Sequence, residues 1–306
     1  MQLFYQGVDI YPKISVSQCW HDEYAGGHVD EVTLVLNDNR MLWDTWSPKA
    51  DDEISIVEGN SKTGKLFVHD VVPEAALLTI RARSAPRSFR NINNKSWEQV
   101  KLLGLISEIA GRHGLTVETH DVEDHLYSYV SQNHIPDMAF LAVRCSLEGL
   151  SFIVYDGKLV VFSESAMESL AAKLTISLTK GSNYKIIDDG FELYGSAVIT
   201  NGTATGTYET QNGSGRVFRE AIPITISDAA EATRFAKGML RQENKDKLGV
   251  LINRTHIIRD IAAGSVVNLT IEGADSRNGS YYISHMRQDY VNNTSKIWLR
   301  KPLEGY

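Results

Sequence analysis

The sequence predicts an α+β protein that is mainly β, in which two small β units flank a central α/β unit. Three observations carry this expectation. Short strand-like runs crowd both ends of the chain, helical periodicity is strongest in the middle, and one strand–turn–strand pattern occurs near each end. The 306 residues suffice for two or three domains with separate cores, and 42% hydrophobic with 23% charged residues is an ordinary globular composition.

The opening segment reads as all β. VDEVTLVL (29–36), DEISIVEG (52–59), KLFVHDVV (65–72) and ALLTIRAR (76–83) are strand-like runs separated by Asn, Asp, Gly and Pro clusters. Short strands at this spacing suggest a small barrel or sandwich over residues 1–83.

At residue 84 the texture changes. SWEQVKLLGLISEIAGRHG (96–114) sets Leu102, Leu105, Ile106 and Ile109 at helical spacing, with Ser96 and Gln99 as a capping box and Arg112, His113 and Gly114 as a stop. PDMAFLAVRCSLEG (136–149) predicts a second helix, with Pro136 in its first turn and Gly149 at its C-cap. SFIVYDGKLVVF then reads as a hairpin turning at Asp156 and Gly157, so residues 84–165 form an α/β unit.

Residues 170–226 return to β character, with turn signals at Asn201-Gly202 and Asn212-Gly213. The Gly/Thr/Asn-rich stretch 195–215 fits either a mobile loop or plain hairpins. SDAAEATRFAKGMLRQENKDK (227–247) predicts a third helix with Ser227 as N-cap, and SVVNLTIEG (265–273), SYYISHM (280–286) and SKIWLRK (295–301) close the chain as strands.

GNSKTGKL (59–66) nearly spells a phosphate-binding loop, but Leu66 stands where a metal-ligating hydroxyl belongs. Its flanks read as strands on both sides, so a hairpin is expected there. EISIVEGNSKTGKLFVHDV and VNLTIEGADSRNGSYYISHM share a strand, Glu-Gly, a polar turn, Gly and a second strand; a third strand follows each. The two are expected to be copies of one β unit, with Gly64 and Gly279 at matching positions.

Little else in the chain points to chemistry. A formal charge of −7 argues against a basic nucleic-acid surface. Two distant cysteines, Cys19 and Cys145, give neither a disulfide framework nor metal-ligand spacing. The start of the chain lacks a leader pattern and no apolar run approaches the ~18 residues of a membrane span, so synthesis in the cytosol is expected. HDVEDH, from His120 to His125, gathers possible metal ligands, but such charge runs are usually solvated loops. Cys19, His21, Asp22 and Glu23 suggest a nucleophile only as a list, and His113 reads as complementing a helix dipole. No residue is assigned a catalytic, cofactor-binding or metal role.

RSAPRSFRN and KSWEQVKLLGLISEIAGRHGL, followed by VSQNHIPDMAFLAVRCSLEGLSFIVYDGKLVVF, resemble the late control protein D family of phage baseplate hub proteins, above all the hubs of Gram-positive phages and defective prophages. The pattern is carried by Arg87-Ser88-Phe89, His113-Gly114-Leu115, Gln132-Asn133, Phe140-Leu141, Glu148-Gly149-Leu150 and Asp156-Gly157. LWDTWSP (42–48), the helix with Ala229, Glu231 and Ala232, and the closing WLRKPLEGY are also similar. The chain departs from the family at Ile135-Pro136, where an acidic, polar helix start is usual.

The resemblance implies two tail-tube-like β-barrel domains, 1–83 and 166–217 with 249–306, around an α/β domain at 84–165 that the helix region 218–248 rejoins. It implies a non-enzymatic homotrimer without cofactor, arranged as a ring of six barrel domains. Expected partners are the central spike protein, the tail tube protein, other baseplate proteins and the tape measure protein. DNA is expected to pass the lumen without specific binding, and no membrane insertion is expected. Such a protein is made in the bacterial cytoplasm and assembled into a virion or tail-like particle. Five Trp and thirteen Tyr keep a carbohydrate-binding or adhesive module as a rival, with a cell-wall hydrolase behind it.

If the 59–66 turn carries no nucleotide, Lys65→Ala leaves folding and assembly unchanged. A thermal midpoint equal to wild type is the expected outcome; loss of fold or assembly would contradict the hairpin reading.

Overall fold

The computed structural model describes residues 1–211 and 214–306; the expected turn at Asn212 and Gly213 lies outside the described residues. The first β unit comprises β1 (Gln2–Tyr5), β2 (Val8–Asp9), β3 (Ser15–Tyr24), β4 (Glu31–Asn37), the helical turn α1 (Trp43–Trp46), β5 (Glu53–Glu58), β6 (Ser61–Lys62), β7 (Leu66–Glu74) and β8 (Leu77–Arg83). Period-two alternation directs Val32, Leu34, Ile54, Ile56, Leu78 and Ile80 into one core. The 59–66 stretch is a hairpin turn, and Lys65 makes a half-exposed ion pair with Glu53 at 2.7 Å.

The α/β unit follows as β9 (Ile92–Lys101), α2 (Leu102–Arg112), β10 (Thr116–His120), β11 (Leu126–Pro136), α3 (Asp137–Leu147), β12 (Leu150–Tyr155), β13 (Lys158–Ser163) and the short helix α4 (Glu164–Glu168). The expected capping box is absent: Ser96 and Gln99 lie in β9, a strand paired with β11. The apolar stripe of α2 explains the change. A helix begun at residue 97 would turn Trp97 away from Leu102 and Leu105. As a strand residue, Trp97 instead stacks on Phe140 at 5.6 Å and donates to Glu108 at 2.7 Å. The α2 start is capped from another segment, Asp124 accepting from the Leu103 N–H at 2.9 Å. Pro136 sits at the N-cap of α3 rather than in its first turn. Asp156 and Gly157, with φ of 49° and 77°, make the expected hairpin turn.

The remaining elements are β14 (Thr175–Leu178), β15 (Asn183–Asp188), β16 (Ser196–Thr200), β17 (Thr205–Glu209), β18 (Val217–Ala221), α5 (Ala229–Asn244), β19 (Leu248–Arg254), β20 (Val266–Ile271), β21 (Gly279–Asp289) and β22 (Thr294–Arg300). Asp228, not Ser227, caps α5, its carboxylate accepting from the Glu231 N–H at 2.8 Å. Strands β16 to β18 form a separate sheet, and Ala197 and Ile199 enter the α/β core. Residues 196–217, grouped with the second β unit from sequence, therefore pack elsewhere. Close approach makes this specific: a Cβ on Gly206 would lie 2.1 Å from the Thr233 nitrogen of α5.

Fourteen strands join in one open sheet, with path β15-β19-β22-β21-β3-β4-β8-β7-β5-β1-β2. Off that path, β20 pairs with β21 and β14 with β20. The sequence repeat thereby extends over a whole unit. The order β3-β4-β8-β7-β5-β1 in the first half is matched by β15-β19-β22-β21-β20-β14 in the second, with equivalent strands in the same chain order. One pairing differs in sense: β1 runs antiparallel to β5, whereas β14 runs parallel to β20.

Local details agree. Five residues after Gly64 and Gly279, the ladders shift register between Val68 and Asp70 and between Ile283 and His285. The side chain before each glycine, Thr63 or Asn278, accepts from the N–H of an isoleucine seven residues earlier. Val68 exchanges main-chain bonds with Asp51 and Asp52, as Ile283 does with Gly264 and Ser265. The glycines occupy matching turn positions with positive φ, 66° and 130°. Among the described residues the sheets are open, and none closes into the barrel expected from sequence.

A buried ion cluster ties the α/β unit to the second β unit. Glu164 and Glu168 of α4 meet Arg241 and Lys245 beside or on α5 and Arg300 on β22, with Arg241–Glu168 at 2.6 Å and Lys245–Glu164 at 2.8 Å. Burial pushes the Glu164 carboxyl up, but Lys245, Arg300 and Arg241 outweigh it and hold it below the usual carboxylate range. Removing one member strands a buried charge. Glu168→Ala is expected to cost about 3–5 kcal/mol, read from urea unfolding; a loss under about 1 kcal/mol, the exposed-pair range, would contradict this role.

Candidate functional site

The two β units meet at a seam where residues 285–289 of β21 pair antiparallel with residues 20–24 of β3. β3 is the edge strand of the first unit and β21 runs on past the end of β20, so each offers a free main-chain edge to the other. The ladder is anchored at its ends by Ala25 N–H to Ser284 O at 3.0 Å and Tyr290 N–H to Cys19 O at 2.9 Å.

Side chains add a different set of contacts on each face. On one, Asp22 accepts from His285 and Arg287, both at 2.8 Å, and Trp20 donates to Asp289 at 3.0 Å. Tyr24, His285 and Trp298 stack across three strands, with centroid separations of 4.3 and 4.0 Å. The other face turns His21 and Cys19 into the core, where His21 meets Tyr290 at 3.3 Å. The end of β5 and its turn also reach across, Arg259 donating to Glu58 at 3.2 Å and Asn60 to Asp260 at 3.4 Å.

This environment disarms the Cys19, His21, Asp22 and Glu23 group as a nucleophilic site. Burial, reinforced by Asp289, pushes the Cys19 thiol up to about 12, so it is not a thiolate near neutrality. Burial pulls His21 down to about 4, against the pull of Asp22. Asp22 is raised by burial, but its bonds to His285 and Arg287 outweigh that and leave it below the usual range.

The other sequence candidates are spread among structural tasks. His120 pairs with Glu118 at 3.0 Å, His125 with Glu123 at 3.2 Å, and Asp124 caps α2. Among the described residues no group of three or more His, Cys, Asp and Glu is arranged to hold a metal ion. His113 is not solvated at a helix end. Ser88 bonds its Nδ1 at 2.9 Å and Asp137 its Nε2 at 2.8 Å, while Gln132 donates to Asp137 at 2.7 Å. The Ser–His–Asp order resembles a hydrolase relay. Here the His113 and Asp137 side chains are 4% and 0% exposed, and Phe89 packs edge-on to the imidazole at 4.9 Å. The network is a buried fastening of three chain segments. Asp137, its centre, was missed from sequence; the signal was an acidic residue directly after Pro136 at a helix start.

Glu148 is similarly occupied, accepting from Tyr127 at 2.7 Å and Arg234 at 2.8 Å beside a cavity of about 270 Å³. Tryptophans 20, 97 and 298 are engaged within the fold, which removes them as free sugar platforms.

Comparison with known proteins gives a likeness of fold. No protein-family model and no curated protein matches the chain. Among solved structures, the 43 kDa tail protein of prophage MuSo2 from Shewanella oneidensis superposes with a TM-score of 0.71 at 11% identity, covering 98% of this chain and 97% of that one. A tail protein from Neisseria meningitidis MC58 gives 0.72 at 13% identity, covering 98% and 95%. An E. coli component of the type VI secretion system, described as structurally similar to T4 bacteriophage tail proteins, gives 0.62 at 10% identity, covering 100% and 78%. The chain has the fold of these tail and secretion proteins. No helix among the described residues is long and apolar enough to cross a membrane.

The seam carries a pH dependence. Burial pushes Glu23 up to about 7 and Asp30 up to about 8, against the bonds they accept from Ala263 and Tyr24. Both keep protons in the folded chain that the unfolded chain releases near 4.5 and 3.8, so their stabilising effect is complete in acid and declines as pH rises to about 8. His21, neutral when folded, opposes this between about 4 and 6.5. Asp30→Asn, which keeps an acceptor for the Tyr24 N–H, is expected to flatten the fall of the thermal midpoint between about pH 6.5 and 8. An unchanged slope would show that Asp30 is not the titrating group.

Proposed function

We propose that the protein is a structural baseplate hub of a phage tail or phage-tail-like particle. Three chains assemble as a ring of six β domains that joins the three-fold spike to the tail tube. The observation that carries this reading is the duplicated β unit: two copies with one strand order, fused edge to edge, present a three-chain assembly to its partners as six similar domains. The resemblance to late control protein D hubs and the tail-protein fold support it, as does the absorption of the candidate reactive groups into structural networks.

In this reading the two copies are the tube-like domains, residues 1–83 and about 166–195 with 249–306. The α/β unit with β16 to β18 and α5 lies outside the ring. The spike protein, the tail tube protein, other baseplate proteins and the tape measure protein are the partners, DNA passes the lumen unbound, and the chain has no catalytic role.

Light scattering on purified protein at tens of micromolar tests the reading. The expected mass is three times the 34.1 kDa of one chain, alone or on adding the spike protein. A monomer under both conditions would contradict it.

A further inference from the structure

We infer that the outer edge of β7 pairs with β15 of a second copy of the chain, repeating between subunits the β21·β3 seam that each subunit forms within itself. The inference rests on the hub reading for its closed ring, but the strands and register come from the internal duplication. β21 corresponds to β7 and β3 to β15. The seam uses the late half of β21; the late half of β7, residues 70–74, pairs with β8 on one side and, among the described residues, with no strand on the other. β15 pairs with β19 on one side and, among the described residues, likewise has a free edge.

The main chain is oriented for it. Asp189 donates its N–H to Lys247 on the β19 side, so alternation turns the peptide groups of Tyr184, Ile186 and Asp188 outward. Ser284, at the bulge of β21, offers its carbonyl to Ala25 across the seam; His69 is the bulge residue of β7 at the same position.

Carrying the ladder registers across the two units makes Trp20 equivalent to Lys185. The register then follows from the seam: Val71 opposite Asp188, Val72 opposite Ile187, Pro73 opposite Ile186 and Glu74 opposite Lys185 of the second copy. Val72 and Ile186 are 39% and 36% exposed in the single chain, an exposure the pairing would relieve. Glu74 and Lys185 bring opposite charges together, the cross-strand combination that favours pairing. Asp70 falls opposite Asp189, so that end is the weaker one. Pro73 removes one donor from the ladder, a device that disfavours indiscriminate edge pairing. The contact is head to tail, so it closes into a ring when the rotation per unit divides a full turn.

Val72 and Ile187 form a non-hydrogen-bonded pair, whose Cα atoms lie about 4.5 Å apart, within disulfide range. Native Cys19 and Cys145 are buried and do not compete. Val72→Cys with Ile187→Cys, oxidised in the full chain and run on a non-reducing gel, is expected to give dimers and trimers, with each single variant giving neither. A trimer by light scattering without cross-linking would overturn the pairing and leave the hub reading standing. A monomer both alone and with the spike protein would overturn both. Cross-linked ladders beyond three would support the strand pairing and contradict the three-chain ring.

A charge exchange guards against misfolding of the cysteine variants. Glu74→Lys is expected to weaken association about fivefold per contact, and Glu74→Lys with Lys185→Glu to restore it; failure of the double variant to recover would overturn the register.

Discussion

The β21·β3 ladder is the contact on which the rest of the arrangement depends. Without it the chain would be two separate β units on an α/β body, each with an unsatisfied strand edge. With it, main-chain bonds run through fourteen strands, and the relative orientation of the two units is set by backbone geometry rather than by a flexible linker. Side chains then fix the register. Asp22 bridges His285 and Arg287, and a one-residue slip would turn those groups to the opposite face.

The three largest hydrophobic cores are largely independent, which explains how a duplicated unit can be separated by some ninety residues of different architecture and still match in strand order. What joins them is mostly main-chain and polar: the seam, the α4–α5–β22 ion cluster, and the contact of Arg259 with Glu58, with the Tyr24–His285–Trp298 stack and a small apolar cluster of Ala25, Val266 and Tyr282 beside them. A buried ionic joint tolerates little change in geometry, because each charge depends on its partners for solvation. That rigidity would suit the proposed place between a tube and a spike, and it uses up side chains that in other settings do chemistry.

How much of this was legible in the sequence depended on whether the signal was local. Asp156 and Gly157 announced their hairpin because the turn itself demands those residue types, and the α2 stripe from Leu102 to Ile109 announced a helix. Ser96 and Gln99 misled because a capping box is a four-residue pattern, while the conformation there is decided by Trp97 reaching Phe140 and Glu108. The 195–215 stretch fits either a mobile loop or hairpins by its turn residues alone, and nothing local shows that Ala197 and Ile199 enter the α/β core. Ser88, His113 and Gln132 stood out as motif residues, yet their common partner Asp137 emerged only when the chain segments were brought together. The repeat was visible as matched turns around Gly64 and Gly279. Its full extent, six strands in one order, was not, because β14, β15 and β19 share no turn chemistry with β1, β3 and β4. The seam joins residues more than 260 positions apart, beyond any local pattern.

In the proposed assembly two equivalent β units per chain repeat one edge contact around a closed ring. Electron microscopy of the assembled protein tests it most directly. The account requires end-on views with six similar lobes around a central opening, three of them carrying the α/β body outside. Views with three single lobes, or open filaments without a closed ring, would contradict it.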